Sequence, residues 1–162
     1  MTRRRYPSVH VASCFFLFVA GVSAQTLQII NAEGRSTSIS VAQIANLPRV
    51  TVEVRDHDIP ARFEGVPVAA LLTMAGIQLG DTMRGRRMTE AILVEAADGY
   101  KAVFAVAEFD PAFAAREIIL ADKRDGKALD AKEGPLRIVA PGDKRPARWI
   151  RQVTTFTLIS VK

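Results

Sequence analysis

Cysteine occurs once in the 162 residues, at Cys14, inside an apolar run close to the start. Whatever folds beyond that run has no disulfide to staple it and must stay closed by burying side chains. It also has no thiolate to serve as nucleophile, redox centre or soft-metal ligand. The run has the layout of a secretory leader. Arg3, Arg4 and Arg5 form a positive segment, Val11–Val22 is apolar, and Val22, Ser23 and Ala24 make a small-residue cleavage site before Gln25. Such a run is too short for a membrane span. The sequence therefore predicts a signal peptide over 1–24 and one domain over 25–162, periplasmic or secreted, with no stable membrane insertion once the leader is removed.

The leader also distorts the charge. Of 22 basic and 17 acidic residues it takes three arginines and no acid, leaving 19 against 17. That near balance, with no interleaving of aromatic and basic residues, points away from nucleic acid as a partner.

Beyond the leader the chain reads as many short strands and few helices. Leu27–Ile30 and Thr37–Ser40 are strands, and Ser40 with Gln43 forms a capping box for a short helix whose Val41, Ile44 and Leu47 share a face. Val50–Val54 alternates at period two and is β-branched. Pro67 is placed to open a second helix, with Val68, Leu71, Leu72 and Ala75 on one face and Gly76 stopping it. Asp98-Gly99 turns a hairpin between Ala91–Ala96 and Tyr100–Ala105. Phe109 and Phe113 read as core, Ile118–Ala121 as a buried strand, Asp122–Glu133 as a solvated loop, and Thr154–Val161 as the last strand. The sum is α+β, mixed β-sheets with a few short helices. Phosphate-loop and nucleophile-elbow motifs are absent, and a lone His57 without cysteine disfavours acyl transfer.

Two stretches carry candidate chemistry. Arg55–Pro60 contains Asp56, His57 and Asp58, which could meet a hard metal or poise a base; as a polar run it also reads as a solvated turn. Gly134–Val153 runs from a buried-strand pattern through a turn at Pro141 and Gly142 to Lys144, Arg145, Arg148 and Arg151 around the only tryptophan, Trp149. Gly142 offers a backbone free to take positive φ, and the cations could surround an anion. The same stretch also reads as a solvated basic loop beside a tryptophan that plugs the core.

Four segments in order, Phe63–Gly76, Ala97–Phe104 with Glu108–Pro111, Ile119–Asp122 and Gly134–Trp149, resemble the oxidoreductase molybdopterin-binding domain of the sulfite oxidase group, in its small, exported, stand-alone form. The resemblance covers most of 25–162. It implies a mixed α+β fold that binds molybdopterin, with a cysteine thiolate on molybdenum following the strand before the Gly65-Val66-Pro67 helix. Here Val54 or Arg55 stands at that place, and neither side chain binds molybdenum. Carried over residue by residue, the basic segment that meets the pterin's phosphate is Lys144, Arg145, Arg148 and Trp149. Arg137 and Tyr100 match positions where the family often contributes packing.

The expectation is a family member without its metal ligand: a non-catalytic module, or pseudoenzyme, binding a small anionic ligand or a periplasmic protein partner. The candidate ligand-binding residues are Lys144, Arg145, Arg148, Trp149, Tyr100 and His57, with no catalytic residue and no metal. Molybdopterin is the one cofactor implied, by resemblance alone. The alternative is a molybdopterin-dependent oxidoreductase in which His57 or Asp56 replaces the thiolate. An open cleft beside Trp149, lined by Arg148 and Lys144, favours the small ligand; a collapsed one with an exposed apolar patch favours the protein.

Overall fold

Alternation at period two decides most of the architecture in the computed structural model, which describes residues 25–160; the expected leader lies outside the described residues. One sheet is built from β1 (Thr26–Ile30), β2 (Ser36–Ser40), β5 (Glu90–Ala96), β6 (Lys101–Ala105) and β10 (Val153–Ser160), in the order β2-β1-β10-β5-β6. The β1–β10 pair is parallel and its neighbours are antiparallel, so the sheet is mixed. Leu27, Ile29, Ile92, Val94, Phe104 and Phe156 point inward from it and are fully buried.

The second sheet holds β3 (Val50–Asp56), β4 (Ile59–Pro67), β7 (Ile119–Arg124) and β8 (Lys127–Ala128) in sequence order, with β9 (Arg137–Val139) also pairing with β7. Helices α1 (Val41–Ala45) and α2 (Val68–Met74) are short. The capping box forms as the sequence implies: the Gln43 N–H donates to Ser40 Oγ, and Gln43 Oε1 accepts from the Ser40 N–H. Pro67 precedes the first residue of α2 rather than occupying it.

Three readings are corrected. Strand β4, the longest, was not expected, because Pro60, Gly65 and Pro67 break its signal. Ala61 and Phe63 nonetheless face inward between exposed or half-buried neighbours, and Gly65 and Val66 are both buried where the register with β7 shifts. Gly65 is required there, since a Cβ would lie 2.2 Å from the Leu120 carbonyl oxygen of β7. The Asp122–Glu133 stretch is not simply solvated: β7 runs into it, β8 follows, and Glu133 turns back against the core. Phe109 is core, but Phe113 is exposed, because the chain turns at Asp110, which accepts the Phe113 N–H. Among the described residues no helix is long and apolar enough to cross a membrane.

Candidate functional site

The turn between β9 and β10 stands across from β3, and an open cleft of about 830 Å³ lies between them. Glu53, Val54 and Arg55 of β3 form one wall, Pro141 and Asp143–Ala147 another, and Arg116 and the His57–Asp58 turn line the remainder. Trp149 lies at the base, buried, edge-on to Phe63 at 6.4 Å, its Nε1–H donating to the Ala140 carbonyl at 3.0 Å. A tryptophan fixed this way is a rigid apolar wall with its one polar atom satisfied. The local fold is set by two turns. The Asp143 N–H donates to Ala140 O, and Pro146 opens a single 3₁₀ turn closed by Trp149 N–H on Pro146 O. Gly142 is not among the positive-φ glycines, so the freedom expected of it goes unused.

The four expected cations divide. Lys144 and Arg145 are exposed, line the cleft and form no salt bridge among the described residues. Arg148 does not line it. Its Nε and Nη2 donate to Asp143 at 3.2 and 2.6 Å, Nη1 and Nη2 donate to Glu108 at 3.1 and 3.0 Å, and its guanidinium lies 4.4 Å from the Phe104 ring centroid. The hydrogen bonds to Asp143, then those to Glu108, hold its pKa above the ordinary arginine value against partial desolvation. A guanidinium enclosed by two carboxylates has little left for a ligand. Arg151 and Tyr100 lie on the other side of Trp149, beside a second cavity of about 460 Å³, and Tyr100 Oη donates to Ala147 O at 2.9 Å.

That second cavity has a buried ionic wall which the sequence reading missed. Asp56 closes β3 and Arg137 opens β9; they are 4% and 3% exposed. Asp56 Oδ2 accepts from Arg137 Nη1 at 3.0 Å and Arg124 Nη1 at 3.1 Å, and both arginines also donate to Glu133 Oε1 at 2.8 and 3.0 Å. Phe63 lies beneath both guanidinium groups, at 5.4 Å for Arg124 and 5.1 Å for Arg137. Asp56 is therefore not part of a solvated turn. His57 is, exposed at φ 50°, its Nε2 3.8 Å from Asp56 Oδ1. The missed signal was an isolated acid at a strand end opposite two arginines of another sheet segment, a pairing visible only in three dimensions.

Among the described residues no three His, Cys, Asp or Glu side chains gather as a metal would require. The comparisons with known proteins agree with the fold. No curated protein matches the chain. The crystal structure of the sulfane dehydrogenase SoxCD from Paracoccus pantotrophus is similar over 83% of this chain, at 17% sequence identity and a TM-score of 0.64. This chain spans 38% of that one. The family of the oxidoreductase molybdopterin binding domain matches residues 21–160, and with one mixed sheet, one antiparallel sheet and a cleft in place, the chain belongs to that family.

Proposed function

We propose that this protein is an exported, non-catalytic member of its family that holds an anionic ligand in the cleft beneath Lys144 and Arg145. The observation that carries the reading is the contrast among its cations: Lys144 and Arg145 face an open cleft without carboxylate partners, whereas Arg124, Arg137 and Arg148 are neutralised from within. Four cationic side chains, Arg55, Arg116, Lys144 and Arg145, line the cleft against Glu53, Asp58 and Asp143, and Asp143 is committed to Arg148.

The family's cofactor fits this chain only in part. A pterin phosphate would find cations and an aromatic wall here, but molybdenum would find no thiolate. Residues 25–162 contain no cysteine, and the two candidate positions for it, Val54 and Arg55, line the cleft with a hydrocarbon and a cation. The substitute ligands are no better placed. Asp56 is buried outside this cleft, its Oδ2 held by two arginines. Its Oδ1, without a hydrogen-bond partner, faces His57 at 3.8 Å, and His57 itself lies on an exposed turn. The metal does not fit, and no redox step is assigned.

Two exposed cations supply roughly 1.5–3 kcal/mol each, about 3–6 kcal/mol together before association costs, which supports binding no tighter than roughly 40 micromolar. Pyrophosphate serves as the probe. Calorimetric titration is expected to show salt-sensitive binding to the wild-type chain, lost in the Lys144→Ala/Arg145→Ala variant at unchanged melting temperature. Unchanged binding in that variant would refute the site. Stoichiometric molybdenum in protein purified from a molybdenum-replete host would refute the non-catalytic assignment.

A further inference from the structure

We propose that the ligand of this cleft is an extended acidic peptide, added as a further strand to the open edge of β3; this rests on the anion-binding reading above. Strand β3 is an edge of its sheet, paired only with β4. The two strands are joined by a two-residue turn, His57 and Asp58 at φ 50° and 67°, with Asp56 opposite Ile59. In such a hairpin the flanking pair exchanges hydrogen bonds and the pattern alternates outward from it. The peptide groups of Asp56, Val54 and Val52 therefore face β4, while those of Arg55, Glu53 and Thr51 face away. Pro60 agrees with this register: it has no N–H and lies opposite Arg55, at a non-bonded position. Among the described residues the peptide groups of Arg55, Glu53 and Thr51 have no hydrogen-bond partner.

The cleft lies against this edge rather than against one face of the strand. Glu53 and Arg55 point to one face and Val54 to the other, yet all three line the same cavity. A chain lying there would place its backbone on β3 and its side chains toward Lys144 and Arg145.

The β6 edge of the first sheet is covered by side chains, a cover that β3 lacks among the described residues. On β6 the Ala105 N–H donates to Glu108 Oε1, and the Val103 carbonyl accepts from Arg148 Nη1 at 3.5 Å. Proteins commonly blunt such edges with prolines, bulges or a covering side chain. The seven residues of β3 contain no proline, and their pairing with β4 has no register shift. Charge selects the occupant: the cleft's unpaired cations call for acidic side chains at alternate positions. Residues 1–24 do not qualify, since they carry three arginines and no acid.

The test uses a fluorescein-labelled peptide of alternating aspartate and valine, six residues long, and its fluorescence anisotropy with the full chain. Two N-methylated versions, each blocking alternate amides, keep every charge and side chain. The parent is expected to bind, one N-methylated version to bind roughly tenfold more weakly, and the other to bind as the parent does. Glu53→Pro removes the edge donor at a position where proline is tolerated, and is expected to weaken the parent by a similar factor at unchanged melting temperature. If both N-methylated peptides bind like the parent, strand addition is wrong while the basic cleft stands. Pyrophosphate binding without peptide binding makes the ligand a small anion and overturns the proposal alone. A dimer in sedimentation that the peptide does not dissolve makes the occupant of the edge a second copy. Binding of neither probe overturns this proposal and the reading beneath it together.

Discussion

The two sides of Trp149 use the same residue types to opposite ends. On one side Arg124 and Arg137 are packed over Phe63 and matched by Asp56 and Glu133; on the other Lys144 and Arg145 stand in an open cleft with no carboxylate committed to them. A cation inside the fold must bring its own anion, because leaving it unpaired in a medium of low polarity is expensive. A cation at the surface can stay unmatched at little cost, since water solvates it. The difference is what makes one group of charges structural and leaves the other available. It also explains why counting basic residues in Gly134–Val153 cannot identify a binding site: Arg137 and Arg148 belong to the same segment and are already spent.

The largest test of this contrast is Asp56→Ala. It leaves two guanidinium groups to share Glu133, one of them almost wholly buried, and is expected to cost about 3–5 kcal/mol, read as a lower urea midpoint. Adding Arg137→Met should recover part of that loss, because the uncompensated charge leaves with the arginine. A single variant within about 0.5 kcal/mol of wild type would show that the cluster is not structural.

Arg148→Ala comes next. The side chain is 34% exposed, so its ion pairs are discounted for solvent screening, and the expected loss is about 1–2 kcal/mol from its hydrogen bonds and its packing on Phe104. Pyrophosphate binding should fall no further than repulsion from the freed Asp143 carboxylate in the cleft wall requires, together with the loss of stability. Weaker binding at full stability would place Arg148 among the ligand-binding residues and erase the division drawn across the turn.

How far these roles could be read from the residues depends on the range of the interaction that sets them. Ser40 and Gln43 are three apart, and their reciprocal cap was legible; so were the Asp98-Gly99 hairpin, the α2 face and the closing strand. Strand β4 was not, because its turn uses His57 and Asp58 at positive φ where glycine or asparagine would announce a hairpin. The site was half legible. Lys144, Arg145, Trp149 and His57 do line one cleft, but Arg148 is claimed by Glu108, forty residues earlier, and Asp56 by Arg137, eighty-one residues later. No periodicity reports such partners, since each needs distant segments of the chain already folded together.

The smallest effect belongs to the turn that delivers Glu133 to the cluster. Asp130 Oδ1 accepts the N–H groups of Lys132 and Glu133 at 2.8 and 2.9 Å, and these bonds, Glu133's first, hold its pKa below the ordinary carboxylate value. A carboxylate whose pKa is lowered by folding stabilises the protein above its unfolded value of about 3.9, and that contribution disappears as pH falls through the lower folded value. Asp130→Ala is therefore expected to melt slightly below wild type at pH 7, with the gap narrowing as the pH is taken below about 4. The comparison of melting temperatures at the two pH values separates charge from shape. A gap that persists undiminished in acid would mean that the turn depends on the side chain's packing, and that Glu133 reaches the arginines without help from an ionised Asp130.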